Sequence, residues 1–392
     1  MERLRIGVIF GSRSVEHEVS IITALQVMQA VDTNKYEIVP IYITKEGHWV
    51  TGEKLLKLES FKDLSLSVSG LQKAFIAPDA SVDSLIGGSR KWFGEKALKK
   101  IDVAFPLVHG THGEDGTLQG LLELANIPYV GAGVLGSALG MDKIAMKAVF
   151  KENQLPVLNY IWFLRKEWEN KQNEIICKIE ATLKYPLFVK PANLGSSIGI
   201  SKAKNREDLI YAVDVASHYD RRLIVEESLE GGIEINCSVL GNDEPIASVC
   251  EQAISWGQFL NYDDKYLRGG KATGLKGAER RIPAPISQEL TQKIQEFAVN
   301  AFKSIDCGGI SRVDFLVNQK KDEIFLNEIN TIPGSISFYL WEASGIPFSE
   351  LIDKLIKLSL DTQKEKNKNI YSYNSKIITH VAGKSLKCGI GK

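Results

Sequence analysis

The opening of the chain, from Leu4 to Ile43, restricts the fold more than any other stretch. Leu4-Arg5-Ile6-Gly7-Val8-Ile9-Phe10 is a short apolar run of buried-strand length, and Gly11-Ser12-Arg13-Ser14 breaks it as a turn. From Glu16 to Val31 the apolar residues Val19, Ile22, Leu25 and Met28 return at helical spacing, and Tyr36 to Ile43 is a second apolar run. A third run, Ile101 to Val108, is followed by a helical stretch from Thr117 to Ala125. Strands alternating with helices predict an α/β domain built on a parallel sheet. Residues 52 to 100 between them are poorly patterned, with Gly87-Gly88 marking a loop.

The pattern then restarts. Met141 to Asn153 reads as a helix, Leu187 to Pro191 as a strand, Asn193 to Gly199 as a Gly/Ser-rich turn, and Arg222 to Glu227 as another strand. From Glu234 onward come antiparallel-looking strands and a Gly/Lys-rich loop from Asn261 to Arg281. A helix from Ser287 to Ser304, strands at Gly309–Val317 and Glu323–Asn327, and a helix from Pro347 to Leu360 follow. The Lys/Asn/Ser-rich remainder reads as a loosely attached tail. At about 100–200 residues per domain, 392 residues predict two or three domains.

Composition narrows the function classes. Lys plus Arg and Asp plus Glu number 48 each, so no net charge draws the whole chain to nucleic acid or an anionic membrane. No apolar run approaches the roughly 20 residues of a membrane helix, and the N-terminus has no signal-peptide h-region. Cys177, Cys237, Cys250, Cys307 and Cys388 are scattered without CxxC spacing, which predicts free thiols in a reducing cytoplasm.

Gly131-Ala132-Gly133-Val134-Leu135-Gly136 matches GxGxxG, but only Pro128-Tyr129-Val130 precedes it. A dinucleotide site needs a full strand there, so a tight inter-domain connection is the better reading. His109, His112, Glu114 and Asp115 form a polar cluster at a strand end, too few convergent ligands for a zinc site on their own. The stronger signal lies late in the chain. Alternation puts Arg312 and Asp314 on one face of a strand, and Glu328 and Asn330 on one face of the next. Two carboxylates and an amide oxygen suit Mg²⁺ shared with substrate phosphates. Thr331-Ile332-Pro333-Gly334 follows directly and offers backbone N–H groups to an oxyanion. Lys143, Lys190 and the loop Gly195-Ser196-Ser197-Ile198-Gly199 are candidate phosphate binders.

Taken together these residues resemble the D-alanine–D-alanine ligase family of the ATP-grasp superfamily. Seven motifs occur in the family's order: Glu16-His17-Glu18-Val19-Ser20; His109-Gly110-Thr111-His112-Gly113-Glu114-Asp115-Gly116; Met141-Asp142-Lys143; Lys190-Pro191 with Gly195 to Gly199; Lys265-Tyr266; Arg312-Val313-Asp314; and Asn327 to Gly334. The resemblance implies mixed α/β and α+β architecture, an ATP-grasp fold behind a Rossmann-like pre-ATP-grasp domain. It implies domains at residues 1–131, 132–226 and 227–362, and a tail at 363–392. The implied activity phosphorylates one D-alanine with ATP and joins the D-alanyl phosphate to a second D-alanine, supplying peptidoglycan synthesis in the cytoplasm.

By the same resemblance, ATP would be held by Lys143, Lys190, Ser197, Glu226, Glu227 and Glu234, and two Mg²⁺ (or Mn²⁺) by Asp314, Glu328 and Asn330. Glu16 would pair with the first D-alanine's ammonium, with Ser196 and Tyr266 as hydrogen-bonding partners. Arg312 and the Gly334 N–H would stabilise the oxyanion. His109, Glu114, Lys265 and either Ser335 or Ser337 would line the substrate side. Lys265 and Tyr266 fall in a segment resembling the family's mobile lid, and a homodimer is implied by analogy. The stretch after Gly334 is shorter than in the family, which leaves D-serine and D-lactate as alternative acceptors; Tyr266 favours D-alanine.

Overall fold

The structure is a computed structural model that describes residues 3–61, 70–87, 96–254, 279–373 and 375. Lys265 and Tyr266 lie outside the described residues.

The N-terminal sheet begins as expected. β1 (Leu4–Gly11) runs parallel to β2 (Tyr36–Ile43) and to β7 (Val103–Pro106), with α1 (His17–Ala30) as the first crossover. The poorly patterned region nevertheless extends it. After β3 (Trp49–Thr51), just before that region, β4 (Gln72–Ile76), β5 (Ser84–Gly87) and β6 (Lys96–Lys100) within it add antiparallel strands in the order β6-β5-β4-β3-β2-β1-β7, so the sheet is mixed. These strands hide from pattern reading because they are short and lie toward one edge. Lysines on an edge strand also discourage pairing with another chain.

After α2 (Thr117–Leu124) and α3 (Val134–Met141), α4 (Lys143–Glu152) leads into a second, antiparallel sheet. Its order is β10-β9-β11-β8, from β8 (Tyr160–Leu164), β9 (Leu187–Pro191), β10 (Ser201–Ala203) and β11 (Arg222–Glu227). α5 (Arg165–Thr182) and α6 (Arg206–Ser217) supply Ile176, Ile179, Leu209 and Val213 to a core shared with Val189, Leu223 and Val225. The third sheet is β14-β13-β12-β15-β16, from β12 (Ile233–Gly241), β13 (Ile246–Ile254), β14 (Glu279–Arg281), β15 (Gly309–Asn318) and β16 (Glu323–Asn330). α7 (Gln288–Ser304) buries Ile294, Ala298 and Phe302 against Val313 and Phe315, together with Met146 and Phe150 of α4. Because strand side chains alternate, the opposite face is left to the residues between, Arg312 and Asp314.

The glycine run is a packing joint. A Cβ on Gly309 would lie 2.8 Å from the Gly131 Cα, and one on Gly136 would lie 2.8 Å from the Asp306 carbonyl oxygen. Short α8 (Phe338–Ala343) and α9 (Phe348–Lys366) close the described chain. Leu351, Ile352, Leu355 and Ile356 of α9 return to the N-terminal core beside Val8, Phe10 and Phe105. The helix runs past the expected end at Leu360 to Lys366, into the first residues of the expected tail; residues 376–392 of that tail lie outside the described residues. Lys366 pairs with Glu123 and sits 4.8 Å from the Tyr129 ring centroid. Lys364 and Lys366 in the last turn also suit the helix dipole. Among the described residues, no helix is long and apolar enough to cross a membrane.

Candidate active site

The ladder between β15 and β16 sets Arg312 opposite Asn330 and Asp314 opposite Glu328. Arg312 donates to both Asp314 oxygens, Nε at 2.6 Å and Nη2 at 2.7 Å. Burial disfavours the Arg312 cation, but the adjoining Asp314 carboxylate outweighs it and holds the guanidinium well above its ordinary range. Asn330 Nδ2 donates to Asp314 Oδ2 at 3.0 Å, which leaves the amide oxygen as its donor atom for a cation. Two carboxylates and one amide oxygen on a single ladder form a hard donor set that fits Mg²⁺, with Arg312 sharing Asp314.

A bulge follows at once. Asp314 faces Glu328 but Phe315 faces Leu326, so Asn327 is one residue too many. Consecutive side chains of β16 therefore both meet lysines of the neighbouring unit. Lys190 Nζ donates to Asn327 Oδ1 at 3.2 Å, and Lys143 Nζ lies 3.7 Å from Glu328 Oε2. Lys143 is aimed by its helix start. Asp142 caps α4 by accepting from Ile144 and Ala145 N–H groups, and Lys143 Nζ also donates to the Leu194 carbonyl.

One turn further along α4 lies a residue the sequence reading missed. Lys147 is fully buried, and its Nζ lies 3.4 Å from Glu226 Oε1; Lys190 donates to Glu226 Oε2 at 2.8 Å. Burial pulls the Lys147 ammonium below its ordinary range despite Glu226. Burial pushes Glu226 the other way, but Lys147 and Lys190 overcome it and keep the carboxylate below its usual range. The usable signal was the i, i+4 spacing of Lys143 and Lys147. Glu227, the next residue on β11, turns away and accepts from Asn159 Nδ2 at 3.0 Å and Lys184 N–H at 3.1 Å. Glu234 lies on β12 opposite Leu316 and Ala253.

The N-terminal unit closes the site. Ser196 donates to Glu16 Oε1. Gly110 and Gly195 make room for that carboxylate: a Cβ on either would come within 2.6 and 2.7 Å of Glu16 Oε2. Ser197 shares the left-handed backbone of Ser196. Glu114 accepts the Gly110 N–H at 2.8 Å and the Ile332 N–H at 2.9 Å. Burial, then the Glu16 charge, push Glu114 up to about 8. His109 Nδ1 donates to the Ile332 carbonyl at 2.7 Å, and burial lowers the ring to about 4. Among the described residues, nothing lies within 4 Å of where a Cβ on Gly334 would be. Beyond it Ser335, Ile336 and Ser337 all take left-handed φ of 52°, 43° and 52°, which costs energy in non-glycine residues. The Ser337 hydroxyl is buried and finds no hydrogen-bond partner among the described residues.

Residues 5–132 match the family described as D-ala D-ala ligase N-terminus, and residues 149–357 the one described as D-ala D-ala ligase C-terminus. The chain belongs to the D-alanine–D-alanine ligase family. A ligase of that name from Natranaerobius thermophilus is 46% identical over 374 residues, covering 94% of this chain and 98% of that one. The ligase from Ruminiclostridium cellulolyticum is 44% identical, covering 93% and 98%. Among solved structures, the VanG D-Ala:D-Ser ligase from Enterococcus faecalis superposes with a TM-score of 0.78 at 36% identity, covering 91% of this chain and all of that one. The D-alanine-D-alanine ligase from Coxiella burnetii gives 0.77 at 34% identity, covering 94% and 97%. The ATP-grasp fold with its N-terminal domain is thus that of the D-alanine–D-alanine ligases. The structure gathers Glu16, His109, Glu114, Lys143, Lys190, Ser196, Arg312, Asp314, Glu328 and Asn330 into neighbouring contacts and adds Lys147 and Asn327.

Proposed function

We propose that this chain joins two D-alanine molecules at the expense of ATP, by way of a D-alanyl phosphate, and supplies the dipeptide to peptidoglycan synthesis in the cytoplasm. The observation that carries the reading is the meeting of the Asp314–Glu328 ladder with Lys143 and Lys190 beside the Glu16–Ser196 pair. Lys143, Lys190, Ser197, Glu226, Glu227 and Glu234 hold the nucleotide. Asp314, Glu328 and Asn330 hold two Mg²⁺ (or Mn²⁺), which supply neutralisation of phosphate charge. The lysines position the γ-phosphoryl group for attack by the first D-alanine's carboxylate. Glu16, oriented by Ser196, anchors that substrate's ammonium. The second D-alanine's amine then attacks the acyl carbon, and phosphate leaves. Arg312 and the Gly334 N–H stabilise the oxyanion, a donor of this kind contributing roughly 10²–10³ in rate. Ser335 or Ser337 holds the acceptor's carboxylate, Lys265 and Tyr266 close over the substrates, and two copies form a homodimer.

A second reading, D-serine as acceptor, is favoured by the likeness to the VanG D-Ala:D-Ser ligase and by the short turn after Gly334. Competition between D-alanine, D-serine and D-lactate at equal concentration separates them. The D-alanyl-D-alanine product predominates on the proposed reading; a mixed product that predominates overturns it.

Glu114 sets a pH dependence. Its raised value means that it carries a proton below about 8. An ammonium beside Glu16 favours the ionised form, so D-alanine binding displaces that proton at low pH and none at high pH. The kcat/KM for D-alanine therefore rises with pH and levels near about 8, and Glu114→Gln removes that step. A wild-type profile without it contradicts the assignment.

A further inference from the structure

The loop that presents Gly334 is held from a helix of another domain. Thr23, on α1, is fully buried, and its Oγ1 lies 3.0 Å from His109 Nε2 and 3.1 Å from the Ser335 nitrogen. The Ile332 carbonyl can only accept, so His109 Nδ1 carries the ring proton. The ring is 2% exposed and neutral, so Nε2 is an acceptor and the Thr23 hydroxyl must donate to it. The same oxygen accepts the Ser335 N–H. One directed chain results: Ser335 N–H to Thr23, Thr23 O–H to His109 Nε2, and Nδ1–H to the Ile332 carbonyl. Glu114 takes the Ile332 N–H.

We propose that Thr23 is a positioning residue for the oxyanion loop, its hydroxyl donating to His109 Nε2 while accepting the Ser335 N–H, and so gripping the chain on both sides of Gly334. The need for a grip is visible in the backbone. Among the described residues nothing packs where a Cβ on Gly334 would lie, and three strained left-handed residues follow it. Such conformations persist only where the surroundings hold them. Without the grip, the Gly334 N–H would wander from the position where charge develops. Thr23 touches neither reacting atom, so it acts through His109 and Ser335. Its position has a further consequence: α1 follows directly on Glu16, so one helix ties the ammonium anchor to the oxyanion donor.

The geometry stands alone, while its kinetic consequence rests on the ligase reading. The experiment compares wild type, Thr23→Val, which keeps the shape and loses the hydroxyl, and Thr23→Ser, which restores it. Expected for Thr23→Val is a fall in kcat for dipeptide formation of about 10²-fold, with the KM for ATP within about twofold and Thr23→Ser near wild type. Nitrogen-15 NMR, with the His109 signal identified by its loss in His109→Gln, should show the Nδ1–H tautomer in wild type and a shifted Nε2 signal in Thr23→Val, where that nitrogen loses its hydrogen-bond donor. The Ser335 amide should exchange at least about tenfold faster in Thr23→Val. A purely structural role would change ATP and D-alanine parameters in step with the folded fraction. Wild-type kcat in Thr23→Val, unchanged Ser335 exchange, or an Nε2–H tautomer in wild type would each overturn the proposal. A wild-type protein that makes no dipeptide overturns the ligase reading instead, and the two NMR measurements still decide the geometry.

Discussion

Glu328→Ala is expected to lower turnover by about 10³-fold or more while the protein stays folded. The separation of the two effects follows from where the side chain lies. Glu328 is partly exposed, with 24% of its side chain accessible. Lys143 keeps the Leu194 carbonyl as a partner when the carboxylate goes, so no buried ammonium is abandoned. What disappears is half of the carboxylate pair that Asp314 begins. ADP release in a coupled assay, set beside a thermal melt, measures both. Turnover near wild type would remove Glu328 from the metal assignment; loss of the fold would make it structural.

Lys147→Met is expected to act on stability most of all. Lys147 and Glu226 have side chains only 1% exposed, and their nitrogen and oxygen are 3.4 Å apart. Removing one member of a buried pair leaves an uncompensated charge, at a cost of about 3–5 kcal/mol. Lys190 remains on Glu226 and places the effect toward the lower end. Adding Glu226→Gln removes the stranded charge, so the double variant should recover more than half of the loss. Denaturant midpoints for the four combinations test this as a double-mutant cycle. Additive losses would show that the two side chains do not interact energetically.

The parts of this site that alternation and helical spacing control were legible in the sequence. Arg312, Asp314, Glu328 and Asn330 needed only strand periodicity, and the strand–turn–helix opening led directly to β1, α1 and β2. What depends on register or on distant packing was not. The bulge that turns Asn327 toward Lys190 is a property of two paired strands, not of either alone. Lys147 carries no motif; its burial follows from α4 packing beneath the third sheet while Glu226 arrives from the second. Thr23 and Ile332 lie more than 300 residues apart and meet through His109. The antiparallel strands from β4 to β6 escaped because runs of four or five residues are too short to show a clean period.

The central claim is that a substrate carboxylate takes the γ-phosphoryl group before the peptide bond forms. D-Alanine labelled with oxygen-18 at both carboxylate oxygens tests it, with the released phosphate analysed by mass spectrometry. If a D-alanyl phosphate forms and an amine displaces phosphate from it, each phosphate carries one labelled oxygen from the carboxylate, in step with dipeptide formed. Unlabelled phosphate accompanying ATP turnover would contradict the account.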